Sequence, residues 1–216
     1  MVLLSPSISA LRRLIKVCEC YAEAHGLRYN TSKSELMVFK SGTKSYDTVP
    51  QVTLNGGVLK RVPQFKYLGH WITETLTDDV DVERERRALL VRANMLARRF
   101  ARCTAQVKIT LFKAYCQSFY TCSLWVKYTQ KTYNALRVQY NNAIRMLMGL
   151  PRFCSASGMF ADARVDGFAA IHRKKITSLM HRLRGSPNNF LQLIAGRMDA
   201  DSSFMEYWTK QHVRCS

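Results

Sequence analysis

The sequence predicts an α+β N-terminal part followed by a mainly α-helical bundle. Within residues 1–80, short runs rich in β-branched and aromatic residues follow a single amphipathic helix, and glycine-containing turns separate them. From residue 82 onward, apolar residues recur every three or four positions, which is the spacing of a buried helix face. Composition, period and charge all change between Glu74 and Asp81, so we place the main boundary there.

The first predicted helix begins near Ser5 and ends before Gly26. Ser5 is a suitable N-cap, with Pro6 at the first helical position. Gly26 can adopt the left-handed conformation that ends many helices. The apolar residues with helical spacing are Ile8, Leu11, Ile15, Cys18 and Ala22.

Three strand-like segments follow this helix. The first is a short strand, Ser34–Phe39, and the second is a hairpin within Gln51–Val62. Asn55 and Gly56 suit the type I′ turn of a hairpin, which needs positive φ at both central residues. The third segment, Gln64–Ile72, is predicted as one further strand because it is rich in aromatic and β-branched residues.

Apolar spacing predicts three long helices and two more beyond them. The third helix is closed by Gly149 and Pro151, a glycine stop followed by a helix-terminating proline. The later helices cover Ala169–Arg184 and Asn188–Arg197. The predicted buried faces are Leu89, Ala93, Leu96, Ala97 and Phe100 on the first; Val107, Leu111, Tyr115, Phe119 and Cys122 on the second; and Tyr133, Leu136, Tyr140, Ala143, Ile144 and Leu147 on the third.

The formal net charge is +18, and it is unevenly distributed. Residues 1–80 carry a net charge of +3, and residues 81–216 carry +15. Such an excess predicts a polyanionic partner, most commonly RNA or DNA, with a merely solubilising basic surface as the alternative. No window approaches the ~18 apolar residues of a membrane span, so a membrane partner is not expected.

The seven cysteines lack the paired spacing of a disulfide framework. Several occupy apolar helical positions, where a cysteine behaves as a small hydrophobe. We therefore expect a reduced, intracellular protein.

One adjacent carboxylate pair, Asp78 and Asp79, could in principle hold Mg²⁺. The acids stand at the start of a long helix, however, where the helix dipole favours negative charge and Thr77 or Asp78 is a natural cap. Capping is therefore the preferred interpretation, and no metal site is predicted.

Other catalytic or metal-binding patterns are incomplete. Cys18 and Cys20 point to different sides of a helix, and His212 and Cys215 lack a second ligand pair for zinc. No glycine-rich phosphate loop and no nucleophile–base spacing is present. The residues alone indicate a nucleic-acid-binding protein without a complete active site.

Two helices carry stripes of basic residues. Arg92, Arg99 and Arg102 share a side of the first long helix, and Arg137 and Arg145 share a side of the third, together with Asn141 between them and Arg152 just beyond. Each arginine taken singly could be an ordinary solvated residue. Aromatic residues interleave with these stripes, either as nucleic-acid contacts or as bundle core: Phe112, Tyr115, Phe119, Tyr120, Trp125, Tyr128, Tyr133 and Tyr140.

Three stretches, in order, resemble the reverse transcriptases of non-LTR (LINE-type) retrotransposons. Met1–Phe39 resembles the segment after the polymerase's active-site hairpin, and "FKYLGHWI" resembles the primer-grip hairpin built around Tyr-Leu-Gly. The run from "RANMLARRF" to "CSASGMF" resembles the thumb and the region after it. The resemblance covers Met1 to about Phe160.

This resemblance implies that the chain is a piece of a longer polymerase. Residues 1–76 would be the end of the palm with its primer-grip hairpin, 77–150 a thumb-like bundle, and 151–216 a helical extension. Met1–Leu4 would follow directly on a Tyr-x-Asp-Asp motif whose aspartates bind metal. Mg²⁺ and dNTP would then be bound only in the full-length enzyme, and this chain alone is expected to be inactive.

The resemblance also assigns roles to a few residues. Lys33 matches a lysine near the incoming nucleotide, with an auxiliary role in pyrophosphate departure, although it could equally be a lysine at a strand entrance. Tyr67, Leu68 and Gly69 match the primer-grip turn, where Gly69 would let the backbone approach the primer. The phosphate-facing residues are inferred from charge spacing instead: Arg92, Arg99, Lys108, Arg137 and Arg145.

The expected partner is a template–primer duplex of RNA and DNA, in the nucleus and cytoplasm. The alternative is a non-enzymatic, basic helical RNA- or DNA-binding protein.

Overall fold

The computed structural model of the chain describes residues 1–40 and 48–200. The chain divides into two compact units, Met1–Leu76 and Thr77–Ser216. It is mostly helical, with a few short strands confined to the first unit. The predicted mixture of α+β followed by helices therefore holds at this coarse level.

In the first unit, helix α1 (Ile8–Ala24) begins two residues later than predicted. Ser7 is the N-cap, and its Oγ accepts a hydrogen bond from the N–H of Ala10 at 3.2 Å. The cap predicted at Ser5 was wrong, because the Ser5 hydroxyl instead donates to the carbonyl of Ser7. The predicted stop is confirmed, since Gly26 has φ +64°.

The first unit contains three small two-stranded sheets. Strand β1 (Glu35–Leu36) pairs in parallel with β4 (Lys60–Arg61). Strands β2 (Thr53–Leu54) and β3 (Gly57–Val58) form an antiparallel hairpin.

The turn of this hairpin has the predicted chemistry. Asn55 has φ +51° and Gly56 has φ +77°, so both central residues have the positive φ of a type I′ turn. Asn55 also donates its side-chain amide to the carbonyl of Tyr29 and its backbone N–H to Glu19 Oε1. The hairpin predicted within Gln51–Val62 is confirmed.

The segment predicted as one strand over Gln64–Ile72 is in fact a second hairpin. Strands β5 (Gln64–Tyr67) and β6 (His70–Thr73) pair antiparallel. Leu68 and Gly69 form the turn with φ of +46° and +87°. Because Leu68 is apolar, the strand-like pattern continues through the turn and conceals it.

The core of the first unit is small. Its buried members are Ile15 of α1, Val52 and Leu54. The partly buried residues packed around them are Leu3, Ile8, Leu11, Tyr29, Leu36 and Leu59.

The second unit is built from six described helices around one main core. None of the helices in the described part of the chain is long and apolar enough to cross a membrane. The helices are α2 (Asp79–Arg99), α3 (Ala105–Cys116), α4 (Gln130–Met148), α5 (Ala156–Asp162), α6 (Phe168–Arg184) and α7 (Asn189–Ala200).

The predicted face of α4 is confirmed, because all six of its apolar residues are buried. The predicted buried face of the second helix is confirmed only in part. Leu111 packs against the core and Phe119 and Cys122 are buried, but the latter two lie beyond Cys116, where α3 ends. Val107 and Tyr115 are exposed, whereas Phe112 and Cys116 are buried.

Helix α5 was not predicted. It places Phe160 in the core shared by α2, α3 and α4, and α6 adds Phe168 and Ile171 to the same core. Residues on either side of position 150 are therefore packed together. A non-glycine residue, Arg164, occupies the left-handed position just after α5, with φ +49°.

A buried carboxylate joins the start of α2 to the segment between α3 and α4. Asp81 is fully buried, and its carboxylate accepts hydrogen bonds from Trp125 Nε1 at 2.8 Å and Thr121 Oγ1 at 2.6 Å. Arg84, one turn along α2, donates from Nε to the same carboxylate at 2.7 Å. The charge is thus both hydrogen-bonded and paired, which burial of a carboxylate requires.

Asp78 and Asp79 also bind the segment that leads to α4. Asp78 Oδ2 accepts the backbone N–H groups of Val126 and Lys127 at 2.7 and 2.8 Å. Asp79 Oδ1 accepts from the N–H and hydroxyl of Thr129, the N-cap of α4. The prediction of Thr77 or Asp78 as the cap is confirmed in position, since Asp78 is the N-cap residue of α2. Its side chain forms no capping bond to its own helix, however, and both acids instead bind the segment that leads to α4.

We expect Asp81→Asn to lower the free energy of unfolding by about 3–5 kcal/mol, because it breaks a buried ion pair and leaves Arg84 only Glu85, which Arg92 also uses. Urea unfolding followed by Trp fluorescence measures the change. Asp166→Asn is the control, because it removes only the exposed ion pair with Lys174 and should cost less than about 1 kcal/mol. Equal losses in the two variants would contradict the anchoring role of Asp81.

Candidate nucleic-acid interface

The first half of α2 balances its own charge. Glu83 accepts hydrogen bonds from Arg86 at 2.7 Å and from Arg87 at 3.0 Å. The bonds from Arg86 and then Arg87 lower the pKa of Glu83 to about 2, although partial burial acts against them. Arg84 is paired in the same way with Asp81. Asp81 thus offsets the charge of Arg84, and Arg86 and Arg87 share the single charge of Glu83, so most of this positive charge is balanced within the helix.

Arg92 belongs to this internal network and not to an exposed stripe. Its guanidinium is paired with Glu85, two turns earlier, on the side of α2 that faces the core. Arg92 Nε is buried and has no hydrogen-bond partner in the described residues. Arg92 and Arg99 are seven residues apart and so lie on one side of α2, as the spacing predicts. Arg92 is half-buried there, however, and its charge is offset by Glu85.

The other end of α2 is cationic. Arg98 and Arg99 lie exposed in its last turn, and Arg102 is exposed just beyond. Among residues 1–40 and 48–200, no acidic side chain forms an ion pair with any of the three. Positive charge at a helix C-terminus is also favoured by the helix dipole.

The next helices extend this positive surface, because the sequences of α3, α4 and α6 contain no Asp or Glu. Arg137 is exposed near the middle of α4, and Lys108 is half-buried on α3. Arg145 lies on the same side of α4 as Arg137, but its guanidinium is bonded to the carbonyl of Cys154.

The sequence left open whether the interleaved aromatic residues belong to the bundle core or lie on the surface, where they could contact nucleic acid. Tyr115 and Tyr120 are exposed. The other six are buried in the core of the second unit: Phe112, Phe119, Trp125, Tyr128, Tyr133 and Tyr140.

In the first unit, Lys33 and Tyr67 line one groove of about 810 Å³. Lys33 is exposed at the end of a short 3-10 turn, and its N–H bonds to the side chain of Asn30 at 3.1 Å. Tyr67 lies beside Phe65, with ring centroids 6.5 Å apart. Two residues assigned by resemblance to the polymerase site therefore line the same groove, although 34 positions separate them in the sequence.

Leu68 lies at the tip of the neighbouring hairpin, next to this groove-lining tyrosine. It is 73% exposed and held at positive φ, where non-glycine side chains are strained. The turn also requires a positive φ at Gly69, which glycine adopts without strain. The strain at Leu68 has no signature in the sequence apart from the glycine that follows it.

The described residues contain no group of three His, Cys, Asp or Glu side chains that could hold a metal ion. His212 and Cys215, which the sequence analysis discounted as zinc ligands, lie outside the described residues. Burial raises the pKa of Cys116 to about 11 and that of Cys122 to about 12, so both thiols stay protonated and unreactive at neutral pH.

Two further residues that the sequence reading did not single out stand out in the structure, Arg98 and Phe153. Phe153 is 91% exposed in the loop after α4. The sequence signal for Phe153 was the predicted helix stop at Gly149–Pro151, since an aromatic residue follows shortly after it.

Comparison of the chain with protein-family models, curated proteins and solved structures found no match.

We expect Leu68→Asn to raise the free energy of unfolding of the first unit by about 1 kcal/mol, because asparagine tolerates the left-handed region. Thermal unfolding of the whole chain followed by circular dichroism measures it. The reciprocal change, Asn55→Leu, should be destabilising by at least as much, since it also removes the bond to Tyr29. A loss of stability in Leu68→Asn would show that its turn is not strained.

Proposed function

We propose that this chain is the end of the palm and the thumb of a reverse transcriptase of the non-LTR retrotransposon type, and that it binds template–primer duplexes of RNA and DNA. The observation that carries the proposal is the separation of charge in the second unit. Acids at the start of α2 pair internally with arginines, whereas Arg98, Arg99, Lys108 and Arg137 form no ion pair with an acidic side chain among residues 1–40 and 48–200.

This separation suits a phosphate backbone. Salt bridges within a surface balance charge locally, but an unbalanced surface attracts a polyanion and its counterions are released on binding. The residues proposed to contact phosphates are Arg98, Arg99, Lys108 and Arg137. Such contacts position a duplex without reading its sequence. Arg92 is omitted because Glu85 already neutralises it.

The first unit supports the polymerase part of the proposal. A strained, exposed turn residue is typical of functional sites, and Leu68 has this character in the segment that resembles the primer grip. Lys33, which resembles the lysine near the incoming nucleotide, shares its groove with Tyr67 at the base of that turn. The proposal is that this hairpin contacts the primer strand.

Metal-dependent chemistry would reside elsewhere in the parent enzyme. Two Mg²⁺ ions in such a polymerase need closely spaced carboxylates. Asp78 and Asp79 are not proposed for this role, because one oxygen of each already accepts backbone N–H groups of the segment that leads to α4. The proposed role of this chain is to hold and position nucleic acid.

A non-enzymatic RNA- or DNA-binding protein is the second candidate. It is favoured by the second unit's own large core, which supports a cationic helical surface by itself. Both candidates predict binding to phosphate backbones, and only the first predicts a contact between the Leu68 hairpin and a primer end.

We expect the affinity for duplex to fall steeply with salt, with a log–log slope near about −5 if some six phosphates are neutralised. Fluorescence anisotropy of a labelled RNA–DNA duplex at several salt concentrations measures this slope. Arg99→Gln and Arg137→Gln should each make the slope shallower by about 1. Arg87→Gln is the matched control, since Arg87 is exposed but paired with Glu83. An affinity that does not depend on salt would refute nucleic-acid binding.

We also expect the purified 216-residue chain to give no primer extension with dNTPs and either Mg²⁺ or Mn²⁺. Gel analysis of a labelled primer on an RNA template tests this, with an active reverse transcriptase as the positive control. Extension by the chain alone would overturn the assignment of its role as binding without catalysis.

A further inference from the structure

The loop after α4 is a tightly bonded turn. Gly149 ends the helix with φ +68°, and the N–H of Leu150 returns to the carbonyl of Arg145 at 2.8 Å. The N–H of Cys154 then bonds to the carbonyl of Pro151 at 3.1 Å. This closes a four-residue turn in which Arg152 and Phe153 are the two central residues.

Arg145 holds this turn against α4. Its Nε and Nη2 both donate to the carbonyl oxygen of Cys154, at 3.2 and 2.8 Å. Its Nη1 donates to Asn142 Oδ1 at 3.1 Å, which fixes the plane of the guanidinium. Three hydrogen bonds from one side chain therefore fix the backbone directly after Phe153.

The side chain presented by this turn is unusually exposed. Phe153 is 91% exposed, whereas Phe112, Phe119 and Phe168 of the same unit are buried. The surrounding charge is positive: Arg152 is its neighbour in the turn, and α4 itself contains no acidic residue. An aromatic ring fixed at the tip of a turn on a cationic surface complements a molecule that carries both negative charge and flat rings.

We propose that Phe153 is a stacking platform for an unpaired base of single-stranded RNA or DNA, with Arg152 on the adjacent phosphate and Arg145 as the positioning residue. This inference rests on the proposed nucleic-acid-binding function and adds a single-strand contact to it. Stacking on an aromatic ring tolerates any base, because every base has a π face. The bonds from Arg145 reduce the entropy lost when the ring engages a base.

The contributions of Phe153 and the arginines can be separated experimentally. A stacking contact releases no counterions, so its loss weakens binding without changing the salt slope. Loss of a phosphate contact weakens binding and also makes the salt slope shallower. A duplex without overhang offers few unpaired bases, so the effect should be greatest on single strands and on duplexes with an overhang.

The test is the affinity of the full chain for a single-stranded RNA that contains 2-aminopurine, measured by anisotropy and by quenching of that base. Phe153→Ala should weaken binding by about 5- to 150-fold and abolish the quenching, with the salt slope unchanged. Phe153→Trp should retain both. Phe190→Ala is the matched control, because Phe190 is also largely exposed, and it should bind as the parent chain does.

The positioning role of Arg145 has its own readout. Arg145→Lys keeps the positive charge but cannot reproduce the fixed donor geometry on Cys154. It should lower affinity and quenching while leaving the salt slope unchanged, and its effect should largely vanish in the Phe153→Ala background. Independent, additive effects would overturn the positioning role.

The possible outcomes distinguish the two proposals. If the parent chain binds no nucleic acid, the proposed function itself fails. If it binds with the expected salt slope but Phe153→Ala binds equally well, only the stacking inference fails. If Phe153→Leu binds the RNA and quenches 2-aminopurine as well as the parent chain does, an apolar side chain without an aromatic ring is sufficient. That result would also overturn the stacking inference.

Discussion

The carboxylate of Asp81 lies inside the second unit, and the hydrogen bonds that it accepts join the start of α2 to the segment between α3 and α4. Removing a charged group from water costs several kcal/mol unless it is paired and bonded. Here Arg84 supplies the opposite charge, while Thr121 and Trp125 supply neutral donors. The segment between α3 and α4 is thereby held against the start of α2, and the packing of α4 follows from this attachment.

This internal pairing of acidic residues explains why the surface of the second unit is positively charged. Residues 81–216 contain eight acidic residues, and Asp81, Glu83 and Glu85 are spent on internal pairs along α2. Few remain to balance the arginines and lysines of the later helices. The cationic surface and the stability of the core are thus two results of one distribution of charge, and the binding proposal depends on it.

The sequence allowed prediction of features that depend on neighbouring residues. The Asn55–Gly56 turn and the buried face of α4 follow from local backbone preference and helical period, and both are present. The face of α3 was predicted only in part, because the apolar spacing continues past Cys116, where the helix ends. In the candidate site, spacing showed which arginines share a helix side, but not that Arg92 pairs with Glu85 or that Arg145 bonds to the carbonyl of Cys154. Those partners decide which charges are free.

The second unit joins residues that are far apart along the chain. Trp125 donates to Asp81 across 44 positions, and His172 Nε2 lies 2.8 Å from the carbonyl oxygen of Cys122 across 50 positions. The same core contains Val82 near the start of α2 and Ile171 of α6. Because such distant contacts form only after long loops have closed, the core is expected to close only once α6 has been synthesised. The earlier helices would stay sensitive to proteases until that point of translation.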